Sequence, residues 1–323
     1  MKNFLEQYNI EAYIRDALSR MSYELFQEVY LSYPELSPLL GDVVWPLGKS
    51  IRPKFVLMLA FLFSSDPLAN SGVMALCKTI ECLHVASLLH DDVLDAGIIR
   101  RSRSCFYLSW GQRRSILLGD YLLSIALRYL SNIDDCSLLA IVQNAITEMT
   151  LGQIQEESMS WSKGIKDYEQ LASRKTSSLF SAIAQSVCKL FQVEDTHSKI
   201  LEFYAMLTGL CFQLQDDIQD YTGTKKDKKR FQDFFQSRVT APLLWLRECV
   251  PQDIQIKIKT YWDSPTSDHA NDIYDLMVKY NIFRYGEDKI NSYKLKAYQS
   301  LKKYWPLENV QLLMNFFPSF SGY

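Results

Sequence analysis

The chain has 323 residues, 48% hydrophobic and 22% charged, and its 35 lysines and arginines nearly balance 37 aspartates and glutamates for a formal net charge of -2. That length and apolar content allow a substantial core, and the balanced charge gives no global electrostatic footprint for nucleic acid, so any anion site must be local. Seven scattered cysteines, odd in number and without a Cys-x-x-Cys, suggest no zinc site and fit reduced thiols in the cytoplasm.

In chain order, Met1 to Glu6 lacks the apolar core of a signal peptide. An amphipathic N-terminal helix is expected next. Pro34, Pro38, Pro46 and Pro53 then interrupt the connection to a helix around Phe55 to Phe63. That apolar run is too short for a bilayer, which needs about 20 residues. No proline occurs between Pro67 and Pro242. Across that block apolar residues recur every three or four positions, as in Leu76, Ile80, Leu83 and in Leu118, Leu122, Ile125, Tyr129, which predicts a stack of long helices. Gly72, Gly97, Gly111, Gly164 and Gly223 are expected in loops or caps, Gly119 and Gly152 at close helix contacts. Pro251, Pro265, Pro306 and Pro318 then separate shorter helices. The expectation is one all-α domain over residues 1–323, with its motifs between about 48 and 242.

Two acidic clusters share one design, Asp91-Asp92-Val93-Leu94-Asp95 and Asp216-Asp217-Ile218-Gln219-Asp220. On a helix the first and last carboxylates of each stand one turn apart, a like-charge pairing that costs about 0.2–0.5 kcal/mol. Hard divalent cations suit such a face, and Mg²⁺ in particular is held by one or two carboxylates plus substrate phosphates. Two such faces turned toward each other would clamp a diphosphate through metal ions. Acidic pairs on helices are ordinarily solvated surface. Here the pattern repeats, and both clusters follow apolar stretches, Val85 to Leu89 and Leu210 to Leu214. Asp134-Asp135, with Leu138 and Leu139 following and no third acid, reads instead as a helix start or turn.

Cations for a diphosphate stand in specific places. Gly48-Lys49-Ser50-Ile51-Arg52-Pro53 superficially matches a nucleotide P-loop, but Val43 stands where its earlier glycine is required. Arg100 and Arg101 follow the first acidic cluster closely, where guanidinium forks suit phosphate oxygens.

Taken in order, these motifs resemble the trans-isoprenyl diphosphate synthases. The match comprises Gly48-Lys49-x-x-Arg52-Pro53, His84, His90-Asp91-Asp92-Val93-Leu94-Asp95, Arg100-Arg101, Gly119-Asp120, Gly152-Gln153, Lys175-Thr176 and Phe212-Gln213-x-x-Asp216-Asp217-x-x-Asp220. The resemblance implies an all-helical, isoprenoid-synthase-type bundle with a central active-site cavity, usually a homodimer. It implies Mg²⁺, three ions per active site with Mn²⁺ able to substitute, held by Asp91, Asp92, Asp95, Asp216 and Asp217 with Asp220 contributing less directly. It assigns Arg100 to the allylic diphosphate, farnesyl or geranylgeranyl, and Lys49, Arg52, His84 and Arg101 to isopentenyl diphosphate. Lys175, Thr176 and Gln213 lie where the family stabilises the developing allylic cation. Two departures stand out. Leu47-Gly48-Lys49-Ser50 replaces the family's Gly-Gly-Lys-Arg, and Ser237-Arg238-Val239-Thr240 replaces its Gly-Lys-x-Thr. The loop from Lys225 to Arg230 is shorter than usual, which leaves Lys228 or Lys229 to meet phosphate and Arg238 to keep the charge of the missing lysine.

The implied reaction is head-to-tail condensation with isopentenyl diphosphate. A class I terpene cyclase would carry a mixed Asn/Ser/Glu second motif, and a non-catalytic partner subunit of a heteromeric synthase would lose its aspartates. Both motifs are fully acidic here. Short-chain relatives place aromatics four or five positions before the first aspartate, where this chain has Ala86 and Ser87. A tail passing Ser87, Leu83 and Ile80 would then exceed C15, reaching C20 to C40, and such a product would partition to membranes.

Overall fold

The computed structural model describes residues 10–32, 50–100, 103–133, 135–223 and 230–318. Lys49, Arg101 and Lys228 lie outside them. Among the described residues the chain runs α1 (Ile10–Ser32), α2 (Ile51–Ala60), α3 (Ser71–Leu94), β1 (Ile99–Arg100), β2 (Arg103–Ser104), α4 (Phe106–Trp110), α5 (Gln112–Ser131) and α6 (Cys136–Glu157). It continues through α7 (Ile165–Ala172), a π-helical turn (Ser173–Ser177), α8 (Ser178–Leu190), α9 (Asp195–Thr222) and α10 (Gln232–Phe235). Last come α11 (Ala241–Cys249), α12 (Gln252–Asp263), α13 (Ser267–Lys279), α14 (Ile282–Leu301) and α15 (Leu307–Met314). Apart from the two-residue antiparallel pairing of β1 with β2, the regular structure is helical, as the spacing predicted.

Local chemistry sets the boundaries. Asn70 caps α3 by accepting from Gly72 N–H, so Gly72 lies inside the first turn and not in a loop. Asp135 accepts from Ser137 N–H at 2.9 Å and starts α6, as read from the sequence. Pro251 and Pro306 are the N-caps of α12 and α15, and Pro242 lies in the first turn of α11. Proline is tolerated there because those N–H groups have no intrahelical partner.

The chain divides into two compact units. One comprises Met1–Asn144, Ala182–Glu202 and Tyr304–Phe316; the other comprises Ala145–Ser181, Phe203–Lys303 and Phe317–Tyr323. In the first, α3 packs on α5, and Leu76, Leu83 and Ala86 of α3 and Leu118, Leu122 and Ala126 of α5 are all buried. Thr79 Oγ1 donates to Ala126 O at 3.3 Å and Ser115 Oγ to Leu89 O at 3.0 Å, so the polar groups of this seam are satisfied. α3 is long and apolar enough to cross a membrane, but its most apolar window is 67% buried and it ends in three aspartates. It is the core helix of its unit. In the second unit Gly286 of α14 meets Ile218 of α9 and Trp245 of α11, beside fully buried Tyr221 and Phe234.

Candidate active site

The first acidic cluster closes α3. Asp91 and Asp95 are half-buried and Asp92 is 4% exposed. Asp95 is the C-cap, its N–H donating to Asp91 O at 2.8 Å. Three carboxylates therefore crowd the negative end of the helix dipole, where cations and not anions are stabilised. Asp92 turns toward the following loop, where a Cβ on Gly97 would lie 3.4 Å from its Oδ1. Arg100 is in β1, on the short hairpin that follows.

In the same unit Arg52, in the first turn of α2, reaches His84 of α3, with Nη1 to Nε2 at 3.0 Å. A guanidinium only donates, so Nε2 accepts and the imidazole proton sits on Nδ1. Two residues assigned to one substrate pocket are thus in contact. Ser87 Oγ donates to His84 O at 2.8 Å. His90 makes a 3.2 Å contact with Ile116 O and packs on Gly119, where a Cβ would fall 2.3 Å from its Nε2. Thr79 and His90 both meet α5, and at 3.6 residues per turn Leu83 and Ala86 fall on that same edge of α3. Ser87 and Ile80 stay on the Asp91 side.

In the second unit the second cluster closes α9, and Asp217 and Asp220 are each 2% exposed. Asp217 Oδ1 accepts from Gln213 Nε2 at 2.9 Å, and Oδ2 accepts from the Ala241 N–H that opens α11 at 3.2 Å. Burial, then the nearby Asp233 and Asp216 charges, push its carboxyl up to about 7. Tyr168 lies close enough to Asp217 to favour its charge, yet its buried hydroxyl is off hydrogen-bonding alignment. Asp220 accepts from the N–H groups of Gln232 and Asp233, each at 3.2 Å, so its two oxygens anchor α10.

The Lys175-Thr176 pair stands on the π-helical turn. Gly152 of α6 and Gly209 of α9 make room for it, since a Cβ on Gly152 would lie 2.9 Å from Lys175 N and one on Gly209 2.7 Å from Ser177 Cα. Thr176 Oγ1 donates to Gln213 Oε1 at 2.7 Å, and Lys175 Nζ pairs with Glu156 of α6. Thr176, Gln213 and Asp217 thereby form one hydrogen-bonded line. Arg238 lies 3.7 Å from Asp233. Sequence reasoning did not single out Glu156, Tyr168 or Gly209. The acid one turn beyond Gly152 and the glycine four positions before Gln213 were the available signals.

Among the described residues no three His, Cys, Asp or Glu side chains form a ready metal cage. The donor set still fits Mg²⁺, which takes one or two carboxylates and completes its shell with water and substrate phosphate.

A family model, polyprenyl synthetase, matches residues 34–277. The chain belongs to that family. Its members are prenyltransferases of isoprenoid biosynthesis, and the chain is 27% identical over 294 residues to heptaprenyl diphosphate synthase component 2 of Bacillus subtilis, covering 90% of this chain and 83% of that protein. It has the isoprenoid-synthase fold, superposing on a decaprenyl diphosphate synthase from Rhodobacter capsulatus with TM-score 0.84, 22% identity and 95% of each chain covered. A Caulobacter crescentus polyprenyl synthase complexed with calcium and isoprenyl diphosphate matches with TM-score 0.82 and 23% identity, over 95% of this chain and 92% of that one.

Proposed function

We propose that this prenyltransferase condenses isopentenyl diphosphate with an allylic diphosphate, farnesyl or geranylgeranyl, to products longer than C15, in the C20 to C40 range. The observation that carries the reading is the line from Thr176 through Gln213 to Asp217, which ties the Lys175-Thr176 turn to an intact second acidic motif. Mg²⁺ bound by Asp91, Asp92, Asp95, Asp216 and Asp217 would supply Lewis-acid neutralisation of diphosphate charge. The allylic C–O bond breaks with its electron pair leaving on pyrophosphate, the isopentenyl double bond forms the new C–C bond, and a proton is then lost to pyrophosphate. Arg52 and His84 bind and orient isopentenyl diphosphate with Lys49 and Arg101. Thr176 and Gln213 present oxygen dipoles to the developing positive charge, a preorganised electrostatic role. Gln213 also fixes the Asp217 carboxylate.

Incubation of the purified protein with labelled isopentenyl diphosphate, farnesyl diphosphate and Mg²⁺, with the product sized by chromatography, tests this. Products beyond C15 are expected, and Ser87→Phe should shorten them. A protein that stops at C15 overturns the length assignment. If Ala86→Phe shortens the product and Ser87→Phe does not, the tail runs along the α5 edge of α3 instead. The name of the Bacillus subtilis relative, a component 2, supports a second reading in which turnover requires a partner chain. Exposed Ile116, Leu117 and Leu127 on α5 support self-association as a homodimer. Sedimentation of the pure protein, alongside the assay, separates the two.

A further inference from the structure

The turn that carries Arg238 departs from its family in a way that the surrounding contacts explain. Ser237 adopts φ 51°, a left-handed conformation natural to the glycine usually found there. Its Oγ donates to Trp262 O at 2.9 Å, and Trp262 Nε1 donates to Arg238 O at 3.4 Å. Trp262, on α12, thus grips both residues of the turn. From the inner side Arg238 N–H donates to Asp233 O at 2.8 Å, and the guanidinium lies 3.7 Å from the Asp233 carboxylate.

Trp262 is itself fixed. Its ring lies 5.7 Å from that of Trp161 and under Lys259 at 5.3 Å. Arg247 of α11 donates to the carbonyls of Trp161 and Lys163, tying that platform to the helix whose first N–H, at Ala241, is bonded to Asp217. The contacts close a circuit from Trp262 through the turn and α11 to the second acidic motif.

We infer that Trp262 is a positioning residue, clamping the Ser237-Arg238 turn so that Arg238 is held at the edge of the second acidic motif as a diphosphate contact. The inference rests on reading that motif as a diphosphate site. The clamp stands in for the missing glycine, because a non-glycine residue in the left-handed region persists only where its surroundings over-determine it. It holds the guanidinium beside the Asp233 carboxylate, on the segment that Asp220 anchors.

Calorimetric titration of the full chain with inorganic pyrophosphate in Mg²⁺ tests this without turnover. Trp262→Phe keeps an aromatic ring but loses the donor, and should weaken binding about three- to tenfold, the scale of one neutral hydrogen bond. Arg238→Ala should weaken it further, and adding Trp262→Phe to Arg238→Ala should then cost nothing more. Additive losses would overturn the clamp, since Trp262 would be acting on the whole unit and not through Arg238. Should Trp262→Phe fail to fold by circular dichroism, Ser237→Ala opens the other half of the clamp, and the same loss, again absent in the Arg238→Ala background, is expected. A wild-type chain that binds no pyrophosphate overturns the diphosphate reading itself, a result distinct from additivity.

Discussion

The two acidic motifs have one pattern and two environments. At the end of α3, Asp91 and Asp95 are half-buried and Asp92 is buried, so that burial differs from the second motif at the third carboxylate, Asp95 against Asp220, on a helix terminus whose dipole repels all three. At the end of α9, Asp217 and Asp220 are buried and each accepts two hydrogen bonds, from Gln213 and Ala241 in one case and from Gln232 and Asp233 in the other. The first motif crowds its carboxylates at a helix C-terminus; the second is wired into the backbone of the helices that follow it. Identical spacing therefore encodes carboxylates whose loss should be felt differently by fold and by function.

The largest effects should come from the aspartates themselves. Asp91→Ala and Asp217→Ala should each cut turnover by about 10²–10³-fold or more, the scale of a lost electrostatic contact to the reacting group. Their stabilities should diverge. Asp91→Ala removes a charge from the negative end of α3 and should lower the melting temperature less than Asp217→Ala does. Asp217→Ala strands two buried donors, Gln213 Nε2 and Ala241 N–H, and should destabilise by about 1–3 kcal/mol. Equal thermal shifts would erase the distinction between the motifs, and near-normal turnover of either variant would remove it from the metal clamp.

A second contrast lies in the glycines. Alanine at Gly152 or Gly209 would meet backbone atoms of the π-helical turn, whereas alanine at Gly119 meets the His90 side chain. Displacing the turn by a fraction of an ångström should lower kcat by about 10- to 100-fold. Gly119→Ala should cost less, because an imidazole can rotate aside. Comparable losses at all three would mean that the turn has no special demand for precision.

Much of this was legible in the sequence. The proline-free block with its three- and four-residue apolar spacing announced long helices, and the ordered motifs announced the family. Asp135 as a helix start followed from its neighbours. Other features were not legible, for identifiable reasons. Asp220 stands at the same relative position as Asp95, and nothing in the spacing indicates that its oxygens cap α10, because the partners come from a segment twelve residues on. Gly209 sits inside an ordinary helical pattern, and its role depends on the approach of Ser177, a tertiary contact. The Ser237-Trp262 contact joins residues 25 positions apart, a tertiary pairing that local spacing does not encode.

The pH dependence of stability is the most diagnostic test of the difference between the motifs. Without divalent cations, Asp217 has its folded-state pKa raised from 3.8 to about 7, by burial first and then by Asp233 and Asp216. Between those values the folded protein holds a proton that the unfolded chain has released, so stability falls as pH rises. The contribution is fully present below 3.8 and is lost as pH passes through about 7. In EDTA, the melting temperature of the wild type relative to Asp217→Asn should therefore decline from pH 5 to pH 7.5 and level off above pH 8, since Asn cannot titrate. Mg²⁺ with pyrophosphate should flatten that decline, because a bound cation replaces the proton. A difference that stays constant with pH in EDTA, or grows toward alkaline pH, would show that Asp217 is ionised in the free fold and that the second motif is no more proton-dependent than an exposed carboxylate.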